Sequence, residues 1–369
     1  MKKILSLALV LCMVFALCAT SASAEADCKV AMITDYGDIT DQSFNQTTYE
    51  ACKAFCEANS IDFTYYKPGS DSDEDRISMI EKAIDDGFNV IVMPGYAFAP
   101  AIAATATDYD DVFFIALDVS EFDLSSAGLE ELPANLYSAV YQEELCGYMA
   151  GYAAVKLGYT KLGFLGGMAV PAVVRYGYGF VQGADAAAAE LELADVEVKY
   201  AYGNQFYGDA DITAAMDTWY ADGTEVVFAC GGGIFTSAGE AAQKVGAKVI
   251  GVDVDQAGTI DGLYGEGMTV TSAMKGLAPT VDTMLAAVLD GSFEGGKVEN
   301  LGLVSEDPEL NYVQLPSAST QFSDDFTAED YAALVAAMFN GEIEVSNDIT
   351  VAAADLATVV TVNDLGNLK

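Results

Sequence analysis

VAMITDYGDITDQSFNQ, residues 30–46, decides how the rest of the chain is read. Val30 to Thr34 form a short apolar run of strand type, 35–41 are polar, and Ser43-Phe44 open an amphipathic helix. Open parallel sheets hold ligands outside the carboxyl ends of their strands, where a strand gives way to a helix. Asp35 stands at such a strand end, and Ser43, Phe44 and Asn45 stand on the first helical turn. One loop therefore offers a carboxylate, a hydroxyl, an aromatic face and an amide. It is one wall of a small-molecule site and needs a second.

The same alternation continues outward. The helix over 43–57 carries Phe44, Ala51, Cys52 and Phe55 on one face. A strand over 61–66 leads to a helix over 73–86 with Ile77, Ile80 and Ile84 inward. A strand over 89–93, a turn at 94–96, a helix over 98–107 and a strand over 112–117 ending in Asp118 follow. Strands alternating with amphipathic helices are βαβ units, which build a parallel sheet covered on both faces. The acidic segment 121–134 interrupts the rhythm and reads as a loop closing at Pro133. A second series then runs as strands over 136–140, 161–165, 196–200, 225–229 and 248–252, with helices over 143–157, 173–190, 209–221 and 236–245 between them. Two such series predict two similar α/β lobes with a pocket at their interface. Beyond them come a strand over 268–272, a helix over 275–289, strands near 300–304 and 312–315, and a last helix over 328–339. That helix is introduced by Thr327 with Asp330 three residues on, the spacing of a capping box. The expected division puts 25–135 and about 257–300 in the first lobe, and 136–256 and about 301–369 in the second.

Composition narrows the function. The chain has 369 residues, enough for two cores, with 52% hydrophobic and 20% charged residues. Lys2 and Lys3, an apolar run to Leu17 and the small residues Ala22-Ser23-Ala24 form the three parts of a secretory signal, with cleavage expected after Ala24. An exported, extracytoplasmic protein is expected. Attachment to the cell surface as a lipoprotein would use Cys18, although Leu17 before it is larger than such cleavage prefers. The formal charge is −40, and loss of the signal removes two lysines and no acid. Nucleic acid is therefore not an expected partner, since phosphate backbones are bound by clustered Lys and Arg. Histidine is absent, which excludes Ser–His and Cys–His catalysis and His-based zinc sites. Beyond the signal, Cys28, Cys52, Cys56, Cys146 and Cys230 are odd in number and read as packing residues rather than a disulfide framework.

Polar residues recur at predicted strand ends: Asp35, Gly95-Tyr96, Asp118, Gly166-Gly167-Met168, Gly231-Gly232-Gly233, and Asp253 with Asp255. Capping and turn geometry account for any one of them. Together they bring more carboxylates to the sheet ends than capping requires. The glycine triplet lacks a phosphate-loop pattern, and no G-x-G-x-x-G follows the first strand, so no nucleotide cofactor is expected. Gly232 can instead let the backbone approach a flat ligand, with Phe235 nearby as a stacking face or as a core residue. Lys275 is the lone cation at a predicted strand–helix junction. Aspartates accept hydrogen bonds from vicinal hydroxyls, and a heterocycle stacks on aromatic rings, so the inventory favours an uncharged nucleoside over a nucleotide. A secreted hydrolase acting through Asp253 and Asp255 is a weaker alternative, because residues two apart on an extended segment face opposite ways.

TDYGDITDQSFNQ at 34–46, ELCGYMAGYAA at 144–154, GFLGGM with the following P and RYGYGF within 163–180, GVDVDQ at 251–256 and TSAMK at 271–275 carry a resemblance. By these motifs the chain resembles the BMP/PnrA-like (basic membrane protein) family of ABC-transporter substrate-binding proteins, whose characterised members bind purine nucleosides. The resemblance implies an α/β, type I periplasmic-binding-protein fold: two doubly wound parallel-sheet lobes joined by a multi-crossover hinge. It implies that Phe44 stacks on the base, Asn45 and Asp35 bond its edge, and Asp253 and Lys275 hold the ribose hydroxyls, with Asp118 assisting. It further implies a membrane permease as partner, a monomer, and no cofactor, metal or catalytic residue. Two departures stand out: CGGGIFTSAGEAA at 230–242 replaces a G-G-T-G-x-G-like loop, leaving the second ring at Phe235 open, and Ala169 replaces an acidic residue after G-G-M. A sugar or a signalling molecule is the alternative ligand within the same fold.

Overall fold

Strands such as VIVMP at 90–94 and VVFAC at 226–230 are buried along their whole length, the signature of sheets packed by helices on both faces. The computed structural model describes residues 28–35 and 37–369; the expected signal segment 1–24 and Cys18 lie outside the described residues. The chain runs β1 (Lys29–Ile33), α1 (Phe44–Asn59), β2 (Asp62–Tyr66), α2 (Asp73–Asp85), β3 (Val90–Pro94), α3 (Ala99–Thr105), β4 (Phe113–Leu117), α4 (Glu121–Ser126) and β5 (Leu136–Tyr141) through the first lobe. The second lobe takes α5 (Glu143–Lys156), β6 (Lys161–Gly166), α6 (Pro171–Glu190), β7 (Glu197–Tyr202), α7 (Ala210–Ala221), β8 (Val226–Cys230), α8 (Phe235–Val245), β9 (Lys248–Asp253), α9 (Ala257–Tyr264) and β10 (Thr269–Lys275). Helix α10 (Leu277–Asp290) and β11 (Lys297–Leu301) return to the first lobe, and β12 (Val313–Gln314), α11 (Ala328–Phe339) and β13 (Thr361–Asn367) end in the second.

The strand orders are β11-β5-β4-β3-β1-β2 and β12-β10-β9-β8-β6-β7-β13, parallel except where β12 runs against β10. In each sheet the order reverses once, between β1 and β3 and between β6 and β8. Loops leaving such neighbouring strands turn to opposite faces of the sheet and open a crevice at its carboxyl edge. Asp35 follows β1, Gly95 follows β3, Gly167 follows β6 and Gly231 follows β8. Both crevices are thus lined from the expected strand ends.

Four expectations are corrected. β5 belongs to the first sheet, pairing with β4 and β11, because Asn135 just before it donates its side-chain N–H groups to the carbonyls of Ala106, Tyr109 and Val112 in the first lobe. β10 belongs to the second sheet beside β9, so the second lobe reaches Lys275. The segment 121–134 contains α4, nucleated by a capping box between Ser120 and Asp123. Finally, the tail adds a strand, β13, along the edge of β7. The chain crosses between lobes at Gln142, at Gly276 and over 302–312. The crossings are laced by Gln142 N–H to Leu301 O (2.9 Å), Gly276 N–H to Tyr312 O (2.7 Å) and Tyr312 N–H to Gly302 O (3.0 Å). All five described cysteines are free thiols, four of them buried.

Candidate functional site

A cavity of about 820 Å³ separates the two sheets' carboxyl edges, lined from both lobes. Its first-lobe wall starts from Asp41, which caps the helix in place of Ser43, the residue at the N-cap position. Asp41 Oδ1 accepts the N–H groups of Ser43 (2.9 Å) and Gln46 (3.0 Å), and Oδ2 accepts that of Asn45 (3.0 Å) and its Nδ2 (3.2 Å). Ser43 makes no side-chain cap, and its hydroxyl instead crosses the gap to Asp253 Oδ2 at 2.6 Å. Phe44 is half-buried and lines the cavity, its ring centroid 4.7 Å from Lys275 Nζ. Asn45 is 4% exposed and donates also to Asp35 Oδ1 at 3.2 Å. Burial pushes the Asp35 carboxyl up to about 6, against the hydrogen bonds from Gly37 N–H and Asn45.

The second wall is an ionic cluster at the hinge. Lys275, the last residue of β10, places Nζ 2.5 Å from Asp118, 3.4 Å from Glu143 and 3.8 Å from Asp253. Arg175 Nε reaches Glu143 at 2.7 Å, and Tyr176 Oη donates to Asp253 Oδ1 at 3.4 Å. Burial raises the Asp118 carboxyl to about 6 even beside Lys275, and raises that of Asp253. Burial alone would pull Lys275 down, but Asp118, Glu143 and Asp253 together outweigh it and hold the ammonium charged. Asp118 and Asp253 sit at φ +61° and +65°, and the other cavity residues Gln42 and Asn204 at +58° and +57°. Side-chain-bearing residues enter this left-handed region at a cost, and four of the six that do so among the described residues line the cavity, Ser60 and Glu192 lying elsewhere.

Asp35, Phe44, Asn45, Asp118, Gly232, Asp253 and Lys275 are all brought to the cavity, with Ser43 bridging behind it. Phe235 is different. It belongs to the wall but is 1% exposed, packed in the core cluster of Leu165, Ile212 and Ile234. The ring presented on that side is Phe206, half-buried in the loop after β7. The turn at Gly231 (φ +142°) and Gly232 (φ +50°) packs against it, and a Cβ at either glycine would press on Phe206. Sequence reasoning also missed Glu143, Arg175 and Tyr176. The signal for Phe206 was available: GNQFYG at 203–208 repeats the strand-end, polar-loop, aromatic order of the first motif. Asp255 points away, exposed and accepting from Ser319 Oγ at 2.8 Å, so it makes no pair with Asp253.

Two parallel-sheet lobes, three crossings and an interlobe cavity with carboxylates and aromatic rings from both sides define a two-lobed solute-binding protein of the type I periplasmic class. Solved structures share the fold. An ABC transporter solute-binding protein from Aeropyrum pernix K1 superposes with a TM-score of 0.66 at 20% identity, covering 89% of this chain and 90% of that one. One from Conexibacter woesei DSM 14684 gives 0.66 at 24%, over 87% and 99%.

Residues 28–347 match the family described as ABC transporter substrate-binding protein PnrA-like, and the chain belongs to that family. Among its relatives are the ABC transporter nucleoside-binding protein BmpA of Lactococcus lactis subsp. cremoris, 27% identical over 83% of this chain and 86% of that protein, and Basic membrane protein A1 of Borrelia garinii subsp. bavariensis, 28% identical over 82% and 86%. The protein is thus a substrate-binding component of an ABC transporter, a family of extracytoplasmic binding proteins rather than enzymes, partnered by a membrane permease. Among the described residues, no helix is long and apolar enough to cross a membrane.

Proposed function

We propose that the solute is a purine nucleoside, taken up between the lobes and released unaltered to the permease. The observation that carries this reading is the pairing of Phe44 and Phe206, one ring from each lobe on one cavity, with the buried carboxylates of Asp118 and Asp253 held beside Lys275. A base stacks between rings, and vicinal sugar hydroxyls donate to carboxylates. Lys275 and Arg175 are already engaged by Asp118, Glu143, Glu144 and Asp253, so a phosphate would meet more negative than positive charge. The relative named as nucleoside-binding supports the same reading. The protein is exported on this reading, freely or anchored through Cys18.

Titration calorimetry with inosine, guanosine and adenosine, with glucose as control, tests it. Phe44→Ala, Phe206→Ala and Asp253→Ala each weaken nucleoside binding at least tenfold. Binding as tight as wild type in all three variants, or a preference for glucose, overturns the proposal.

A further inference from the structure

Three cysteines meet where the first strand passes under the first helix, and the packing there is ordered residue by residue. Side chains of β1 alternate between its two faces. Ala31 and Ile33 join the core beneath α2 and α3, with Ile80 and Ile102. Val30 and Met32 join the core that holds Cys52 and Cys56 of α1. Cys28 continues this second set, two residues ahead of Val30, and packs half-buried against the same cluster. Cys52 and Cys56 are buried one turn apart on the face that α1 turns to the sheet.

Chain direction decides which of the two Cys28 meets. β1 and β2 are parallel, with Lys29 opposite Asp62, so α1 must run back over the sheet and its last turn ends above the start of β1. Ile61, which extends that register to the position opposite Cys28, donates its N–H to the Cys56 carbonyl at 2.9 Å. Cys56 therefore stands over Cys28, and Cys52 over Val30. The thiols feel one another in the same order. Burial pushes Cys56 up to about 12 with Cys28 adding to it, whereas on Cys52 it is Cys56 that adds to burial. Among the described residues these sulfurs belong to no group able to hold a metal ion. Cys52 and Cys56, four apart on one helix, are poorly set to bond each other.

We infer that Cys28 and Cys56 are a dithiol pair that closes to a disulfide outside the membrane, stapling the start of the first sheet to α1. Extracytoplasmic proteins meet disulfide oxidants that cytosolic ones do not. The accessible Cys28 thiolate attacks one sulfur of the oxidant, a small disulfide, and releases the other as a thiol. Cys56 then attacks the Cys28 sulfur of this mixed disulfide and releases the second thiol. One S–S bond forms in the protein and one breaks in the oxidant. The two protons and two electrons of the cysteine pair leave with the two small thiols. The ring so closed, residues 28–56, contains the loop of Asp35 and Asp41 and most of α1. Closing it takes freedom from the unfolded chain and so stabilises the folded one.

The mature chain, residues 25–369, tests this when it is purified with dithiothreitol, freed of the reductant and incubated folded with oxidised glutathione. The thiol count in denaturant falls from five to three, and the intact mass drops by two hydrogens. An unreduced digest yields one linked peptide pair joining Cys28 to Cys56. The melting temperature rises by about 5 °C and falls back on reduction. Cys28→Ser and Cys56→Ser each lose both the link and the rise, while Cys52→Ser keeps both. Five thiols still titrating after the oxidant, glutathione retained on Cys28, or a link through Cys52 overturns the inference. So does a Cys28–Cys56 link that leaves the melting temperature unchanged.

Discussion

Glu144 sits one residue from the hinge cluster's centre and pays for the company. Its carboxyl is 3% exposed, Oε2 has no hydrogen-bond partner among the described residues, and Arg175 is 4.0 Å away, already committed to Glu143 at 2.7 Å. Burial, with the Glu143 charge adding to it, raises Glu144 from the ordinary 4.5 to about 7. The folded state therefore keeps a proton that the unfolded chain gives up over the window from pH 4.5 to 7. Stability falls as pH rises through that window and is level above it. Glu144→Gln keeps the shape and removes the buried charge. The variant should be more stable than wild type by about 2 kcal/mol at pH 8, with the gain shrinking to nothing near pH 4.5. Urea unfolding at the two pH values checks this; a gain of equal size at both would mean that ionisation is not its source.

At the scale of elements, the sequence made the strand–helix alternation legible because each element buries a recognisable face. What it hid were contacts made by packing. Helices α5 and α6 touch through Gly147, Gly151, Gly179 and Gly183, and a Cβ on any of these would collide with the facing helix's backbone. That close approach is what carries Glu143 to Arg175, and no spacing within either helix announces it. Phe206 and Phe235 both follow a strand, yet α8 begins at Phe235 and its ring is tucked into the core, while Phe206 stays in an irregular loop. β13 escaped notice because TVNDLGN is mostly exposed and shows no apolar alternation. Its entry is anchored by Asp185, which accepts the N–H groups of Thr358 (2.9 Å), Val359 (2.7 Å) and Val360 (2.8 Å) and the Thr358 hydroxyl (2.9 Å), and its far end by Lys369 paired with Asp209. These bonds more than offset burial and hold the Asp185 carboxyl below its ordinary range, so their contribution is present at neutral pH and lost in acid. Asp185→Ala should cost about 2–3 kcal/mol and expose the tail to proteolysis near residue 358 while leaving solute affinity unchanged. A tail as resistant as in wild type would show that the strand pairing with β7 suffices to hold it.

As a whole molecule, the protein has its lobes bridged by hydrogen bonds across the cleft, and the bridge has an identifiable fastening. Gln256 is 1% exposed and fixed within the second lobe, where its Oε1 accepts Val252 N–H at 2.9 Å and its own N–H donates to Ser272 Oγ at 3.1 Å. Its Nε2 is thereby aimed across the gap and donates to the carbonyl of Gln42 at 3.0 Å. Gln42 is the left-handed residue just before the helix that carries Phe44 and Asn45. Ser43 to Asp253, Lys275 to Asp118 and Thr259 Oγ1 to Gln42 Oε1 (3.3 Å) also tie the lobes, but Asp253, Lys275 and Asp118 belong to the proposed solute site, whereas Gln256 does not line the cavity. Hinged lobes turn as units about their crossings, so these fastenings would open together. Solute enters the open form, and the Gln256 bond acts only after closure. Gln256→Ala should therefore leave the association rate within about twofold of wild type and speed dissociation about fivefold, the effect of one lost hydrogen bond of about 1 kcal/mol. Stopped-flow binding separates the two rates, and the melting temperature without solute controls for damage to the second lobe. An unchanged dissociation rate would mean that closure is held by the solute's own contacts and not by the loop that Gln256 grips.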